Sequence, residues 1–188
     1  MQATNDAHQY SSRKAQLIHS AFDLTSKFPG TDVLVLTLRA SKETSYIYDF
    51  KTHRFAPMLT HPESKSLITK YLSAPDTESP DDNGTPEQDK ADEGDTQDEV
   101  PKFKFKRQGN GSLAIVDKER YDLMFPQFKS HAMRRVSQIP GAEVLFLASC
   151  GPDLVAAFAT PKWLPFLVQP EGWNMIKACL EQSTEMST

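Results

Sequence analysis

Residues Phe158–Leu180 read FATPKWLPFLVQPEGWNMIKACL, and an earlier stretch, Phe50–Leu72, reads FKTHRFAPMLTHPESKSLITKYL. The two align without a gap. Their shared residues are Phe50/Phe158, Thr52/Thr160, Pro57/Pro165, Leu59/Leu167, Pro62/Pro170, Glu63/Glu171, Ile68/Ile176 and Leu72/Leu180. Upstream of each lies a second matching block, PGTDVLVL at Pro29–Leu36 and PGAEVLFL at Pro140–Leu147, identical at five of eight positions. The offset between the blocks changes by three residues where one copy reads SKET and the other GPD. Length changes belong in turns. Two matching blocks in one order mark a duplicated unit.

Each copy has the same grammar. In the first, Leu17, Ile18, Ala21, Phe22 and Leu24 recur at helical spacing, and Pro29-Gly30 ends that helix. Asp32–Leu38 and Ser45–Phe50 are apolar, β-branched or aromatic runs around a polar turn, which predicts a hairpin. Pro62-Glu63 opens a second helix carrying Leu67, Ile68, Tyr71 and Leu72. In the second copy the spacing predicts a helix around Pro126–Ile139, strands near Glu143–Ser149 and Leu154–Phe158, and a helix from Pro170. A unit of about sixty residues has little core of its own, and its hairpin edge needs covering. The expected fold is α+β: two helix–β-hairpin–helix units sharing a four-stranded antiparallel sheet between two helical layers.

Charge is unevenly spread along the 188 residues. The formal net charge is -4. Asp76–Glu99, DTESPDDNGTPEQDKADEGDTQDE, holds eleven acids and one lysine, so it contributes 1 − 11 = -10 and the rest of the chain +6. That stretch lacks aromatic and large aliphatic residues and reads as a disordered tether. PKFKFKRQGNG follows, with Lys102, Lys104, Lys106 and Arg107 in six positions; alternation with Phe fits an edge strand or a phosphate-binding arm. No run of eighteen apolar residues and no secretory leader is expected. Two cysteines cannot build a disulfide scaffold. The five histidines are scattered, and no glycine-rich phosphate loop or paired-carboxylate site stands out. The expectation is a protein that is not an enzyme and needs no metal, cofactor or small-molecule substrate.

The duplicated pattern resembles the MADS-box family, in the branch of serum response factor and the fungal cell-type regulator. The resemblance rests on Tyr48-Asp49-Phe50-Lys51-Thr52 with Pro57, Glu63 and Ile68, and on Phe158–Leu180 in the second copy. Ser11-Ser12-Arg13-Lys14, then Leu17-Ile18 and Ala21–Leu24, are similar to the family's first helix, although His19-Ser20 stands where two lysines are usual. In the second copy Phe125, Lys129, Met133, Arg134 and Arg135 fit that helix, and Ile115, Asp117, Lys118 and Arg120 its amino-terminal arm. Pro126 and a shortened helix depart from it.

Since MADS domains act as dimers over DNA, the resemblance implies a single-chain pseudo-dimer. Its parts are a first repeat at 1–75 with a degenerate basic helix and no basic arm, an acidic linker at 76–101, a second repeat at 102–182 with a basic arm, and a tail at 183–188. It also implies a nuclear transcription regulator that binds A/T-rich double-stranded DNA mainly through its second half. The expected DNA contacts are Arg13, Lys14, Lys102, Lys104, Lys106, Arg107, Lys118, Arg120, Lys129, Arg134 and Arg135. The rival reading is a DNA-independent adaptor or antagonist of MADS factors, with the acidic tether as a DNA mimic. It would bind co-regulator peptides or other MADS-type proteins through Tyr46, Tyr48, Phe55, Trp163 and Trp173.

Overall fold

The computed structural model describes residues 2–40, 45–73, 103–125 and 130–181. The acidic stretch, Lys102, Lys129 and the tail expected at 183–188 lie outside the described residues. The first half contains α1 (Gln2–Lys27), β1 (Thr31–Ala40), β2 (Ser45–Lys51), a 3-10 turn (His53–Phe55), α2 (Pro57–Thr60) and α3 (Pro62–Ser73). The second contains β3 (Phe105–Gln108), β4 (Gly111–Ile115), α4 (Lys118–Met124), α5 (Ser130–Ser137), β5 (Ala142–Cys150), β6 (Asp153–Ala159), α6 (Pro165–Val168) and α7 (Pro170–Glu181).

Tyr10, Leu17, Ala21 and Leu24 of α1 are buried at spacings of one or two helical turns, which gives the helix one apolar stripe. Gly30 ends it with a positive φ of 83, a conformation that favours glycine. β1 and β5 are buried on both faces, which explains their nearly unbroken apolar runs. Val33 and Val35 of β1, with Val144, Phe146 and Ala148 of β5, join α1 and α5 in one core layer. Leu34, Leu36, Leu145 and Leu147 point the other way, into a layer with Leu67, Ile68, Phe166 and Ile176. Each layer takes side chains from both halves.

The sheet order is β2-β1-β5-β6-β4-β3. Its centre is the antiparallel pair β1–β5, in which Val35 faces Phe146, Leu34 faces Leu147 and Leu36 faces Leu145. Val35 and Phe146 occupy the same position in the two matching sequence blocks, so the pairing is self-complementary about that point.

Two hydroxyls repeat the correspondence. Thr52 Oγ1 accepts from the Val33 N–H at 3.1 Å and donates to the Asp32 carboxylate. Thr160 Oγ1 accepts from the Val144 N–H at 2.9 Å and donates to Glu143. Each threonine fastens the end of one hairpin strand to the start of the other. Arg54 pairs with Asp32 at 3.1 Å and also donates to the Leu180 carbonyl of α7, which ties the first half to the second.

Six strands replace the four expected. The added pair is the β3–β4 hairpin, laid on the outer edge of β6 with Leu113 opposite Phe158 and Ala114 opposite Ala157. Ala156, Ala157 and Ala159 leave room there, and Gly111 sits beneath the Phe158 ring, where a Cβ would come within 2.3 Å. The equivalent edge of β2 carries Tyr48, Asp49 and Lys51 instead, and charged side chains discourage strand addition. The expected basic arm is therefore a strand from Phe105 onwards, and Lys118 and Arg120 belong to helix α4. The helix expected over Pro126–Ile139 is described only at Ser130–Ser137.

Candidate nucleic-acid interface

The layer containing α1, α4 and α5 carries most of the expected DNA contacts, but they are not equivalent. Arg134 and Arg135 lie in the last turn of α5, which buries Met133 and Val136 and turns both arginines to solvent. No acidic partner is found for either among the described residues. Arg13, in the middle of α1, donates from Nη1 to the Arg135 carbonyl at 2.9 Å. That bond satisfies a carbonyl in the last turn of a helix, where positive charge is favoured. It also brings the first half's arginine beside the second half's pair.

Lys106 is the fourth member. It stands opposite Leu113, whose side chain enters the core layer shared with α1 and α5, so Lys106 emerges on that face. Phe103 and Phe105 pack on the opposite layer, and Phe103 meets Trp173 edge-on at 5.2 Å. Lys104, between those two phenylalanines and exposed, shares the side of Lys106. Arg107 pairs with Ser112 and alternates to the face of Phe105.

Other expected contacts are engaged elsewhere. Lys14 lies 3.2 Å from the centre of the Tyr48 ring, and burial pushes its ammonium pKa down. Lys118 pairs with Asp122 in α4. Arg120 pairs with Asp153 at 3.1 Å and Asp117 at 3.4 Å, and its pKa is raised chiefly by the hydrogen bond to Asp153. The structure thus joins Arg13, Lys104, Lys106, Arg134 and Arg135 on one face. It separates from them Lys14, Arg107, Lys118 and Arg120.

The chain is similar to serum response factor homologues. It is 40% identical over 67 residues to "Serum response factor homolog A" of Dictyostelium discoideum, a match covering 36% of this chain and 15% of that protein. It is equally identical over 67 residues to the "Pheromone receptor transcription factor" of Saccharomyces cerevisiae, covering 22% of that protein. Against the "Transcription factor of morphogenesis MCM1" of Candida albicans it is 36% identical over 92 residues, which is 49% of this chain and 33% of the relative. The chain therefore spans at most about a third of the lengths of these three relatives. No protein-family model matches it, and no solved structure matches it significantly.

The residues expected to bind partners divide as well. Phe55 and Trp163 are fully buried core side chains, equivalent in the two halves, and offer nothing to a partner in this structure. Trp173 is half-buried under Phe103. Tyr48 stays exposed on the open strand β2 beside exposed Ile47, whereas the side chain of Tyr46 lies outside the described residues. Among the described residues no group of three His, Cys, Asp or Glu has metal-ligand geometry, and no helix is long and apolar enough to cross a membrane.

Sequence reasoning missed the hairpin and its attachment to α5. Asn110 Nδ2 donates to the Ser137 carbonyl at 3.0 Å, and Gly109, at φ 64, lies beside the stem of Arg134. The signal was present in Gly109-Asn110-Gly111. A glycine at the first central position of a two-residue loop is what a type II′ hairpin turn requires.

Proposed function

We propose that the chain is a MADS-type transcription regulator acting in the nucleus as a single-chain pseudo-dimer. In this reading residues 1–75 and 102–182 are its halves, the acidic segment 76–101 is its linker, and A/T-rich double-stranded DNA is its ligand. The observation that carries the reading is the convergence of Arg13 with Arg134 and Arg135 across the two halves on one solvent face. The self-complementary β1–β5 register supports the pseudo-dimer, and the named relatives support regulation of transcription.

The grip is asymmetric. Among the described positions, the exposed residues of α1, which include His8, Ser12, Gln16, His19 and Phe22, carry one cation, Lys27 in the last turn. On this side of the sheet the second half supplies Lys104, Lys106, Arg134 and Arg135, none with an acidic partner among the described residues. Phosphate neutralisation gives most of the non-specific affinity, so about four contacts predict a log–log salt slope near −4. In a low-salt titration of the full chain with an A/T-rich dyad duplex, Arg134→Glu combined with Arg135→Glu abolishes binding. Wild-type affinity in that variant overturns the DNA reading.

The second reading, a protein-interaction adaptor, draws on the open edge of β2 with Ile47 and Tyr48 exposed. The same titration separates the two: a folded wild-type chain with no salt-dependent affinity for the duplex favours the adaptor.

A further inference from the structure

We infer that the β3–β4 hairpin is a fixed positioning element that sets Lys104 and Lys106 beside Arg134 on one nucleic-acid-binding face, and turns Arg107 away from it. The inference rests on the DNA reading above and deepens it. The sequence alone leaves an edge strand and a basic arm both open, and on an arm the cations are interchangeable because each can reach a phosphate. The structure offers strand alternation instead.

Three independent anchors hold the hairpin in place. Its inner strand is paired along β6 from Ser112 to Ile115. Gly111 lies against the Phe158 ring, so close that no side chain fits there. Its turn touches the last turn of α5 through the Asn110–Ser137 hydrogen bond and the approach of Gly109 to Arg134. On the outer strand, Phe103 and Phe105 pack toward α7 and Trp173, which commits Lys104 and Lys106 to the opposite side. Lys106 is three residues from the turn, about 10 Å along the strand. Duplex nucleic acid, with a charge on average every ~1.7 Å along its axis, is the partner whose chemistry fits an extended row of cations that have no acidic partner among the described residues.

The test is a parity experiment on the full chain with the A/T-rich duplex used above. Lys104→Glu with Lys106→Glu should lower affinity at least about tenfold and reduce the salt slope by about 2. Arg107→Glu should change affinity less than about twofold and leave the slope intact, although it also reverses a charge in the same hexapeptide. All three residues are exposed, so thermal melts of the variants should coincide with the wild type. A loss from Arg107→Glu as large as that from Lys104→Glu with Lys106→Glu overturns the fixed-hairpin inference while leaving the DNA reading standing. A wild-type chain that ignores the duplex overturns both.

Discussion

Thr160 and Thr52 hold matching places in the two halves but differ in surroundings. Thr160 is 1% exposed, and its hydroxyl serves both the Val144 N–H and the Glu143 carboxylate. Thr52 is partly exposed; both carboxylates keep a second partner, Asp32 in Arg54 and Glu143 in the Lys162 N–H, so the two sites differ in burial. A buried group left without its partner costs about 1–3 kcal/mol, whereas water replaces part of the loss at an exposed one. Thr160→Val should therefore lower unfolding stability by about 2 kcal/mol in a urea titration, and Thr52→Val by clearly less. A larger loss at Thr52 would contradict this account. Much of this device was legible in the sequence: the threonines align, and an acid stands at the matching upstream position as Asp32 and Glu143. The fate of the basic residues was not. Whether Lys14 reaches solvent depends on Tyr48, a residue on another element, and local spacing carries no information about that contact. Cys179 was readable as core; burial pushes its thiol up to about 11, which keeps it protonated and unreactive near neutral pH.

At the level of elements, the two matching sequence blocks located β1, β2, β5, β6, α3 and α7 to within about two residues, because apolar periodicity and the proline stops act locally. The β3–β4 hairpin was harder, since alternating Phe and Lys suits both a strand and an arm until a partner edge is known. What settles it is the run of alanines on β6, which is a property of a distant segment. The junction of α6 with α7 shows how tightly such elements meet. A Cβ on Gly172 would lie 2.5 Å from the Phe166 Cα and 2.7 Å from its carbonyl oxygen. The corresponding position in the first half holds Ser64, buried yet accommodated between α2 and α3. Gly172→Ala should thus cost about 1–3 kcal/mol by forcing α6 and α7 apart, measured as a fall in the urea midpoint with an unchanged slope. A neutral result would mean that α6 yields without disturbing the core beneath it.

For the whole molecule, the decisive fact is that both core layers draw on both halves. Val33 and Val35 pack with Val144 and Phe146 on one side of the sheet, and Leu34 and Leu36 with Leu145 and Leu147 on the other. A half without its counterpart would expose an apolar strand edge and an open sheet face at once. Folding and association of the halves should therefore be one event, and the covalent connection matters only through concentration. A connection of this length gives an effective concentration of about 1 mM. Introducing a protease site between Asp76 and Glu99 and cutting it should leave one complex of unchanged mass on gel filtration, separable only in denaturant. At 10 μM the cut complex should lose about 2.7 kcal/mol of apparent stability, from a hundredfold fall in the concentration each half experiences. Its melting temperature should then rise with protein concentration, whereas that of the intact 21.1 kDa chain should not. Two folded fragments that separate on cutting would show that each half supports its own core, and the shared-core account would fall.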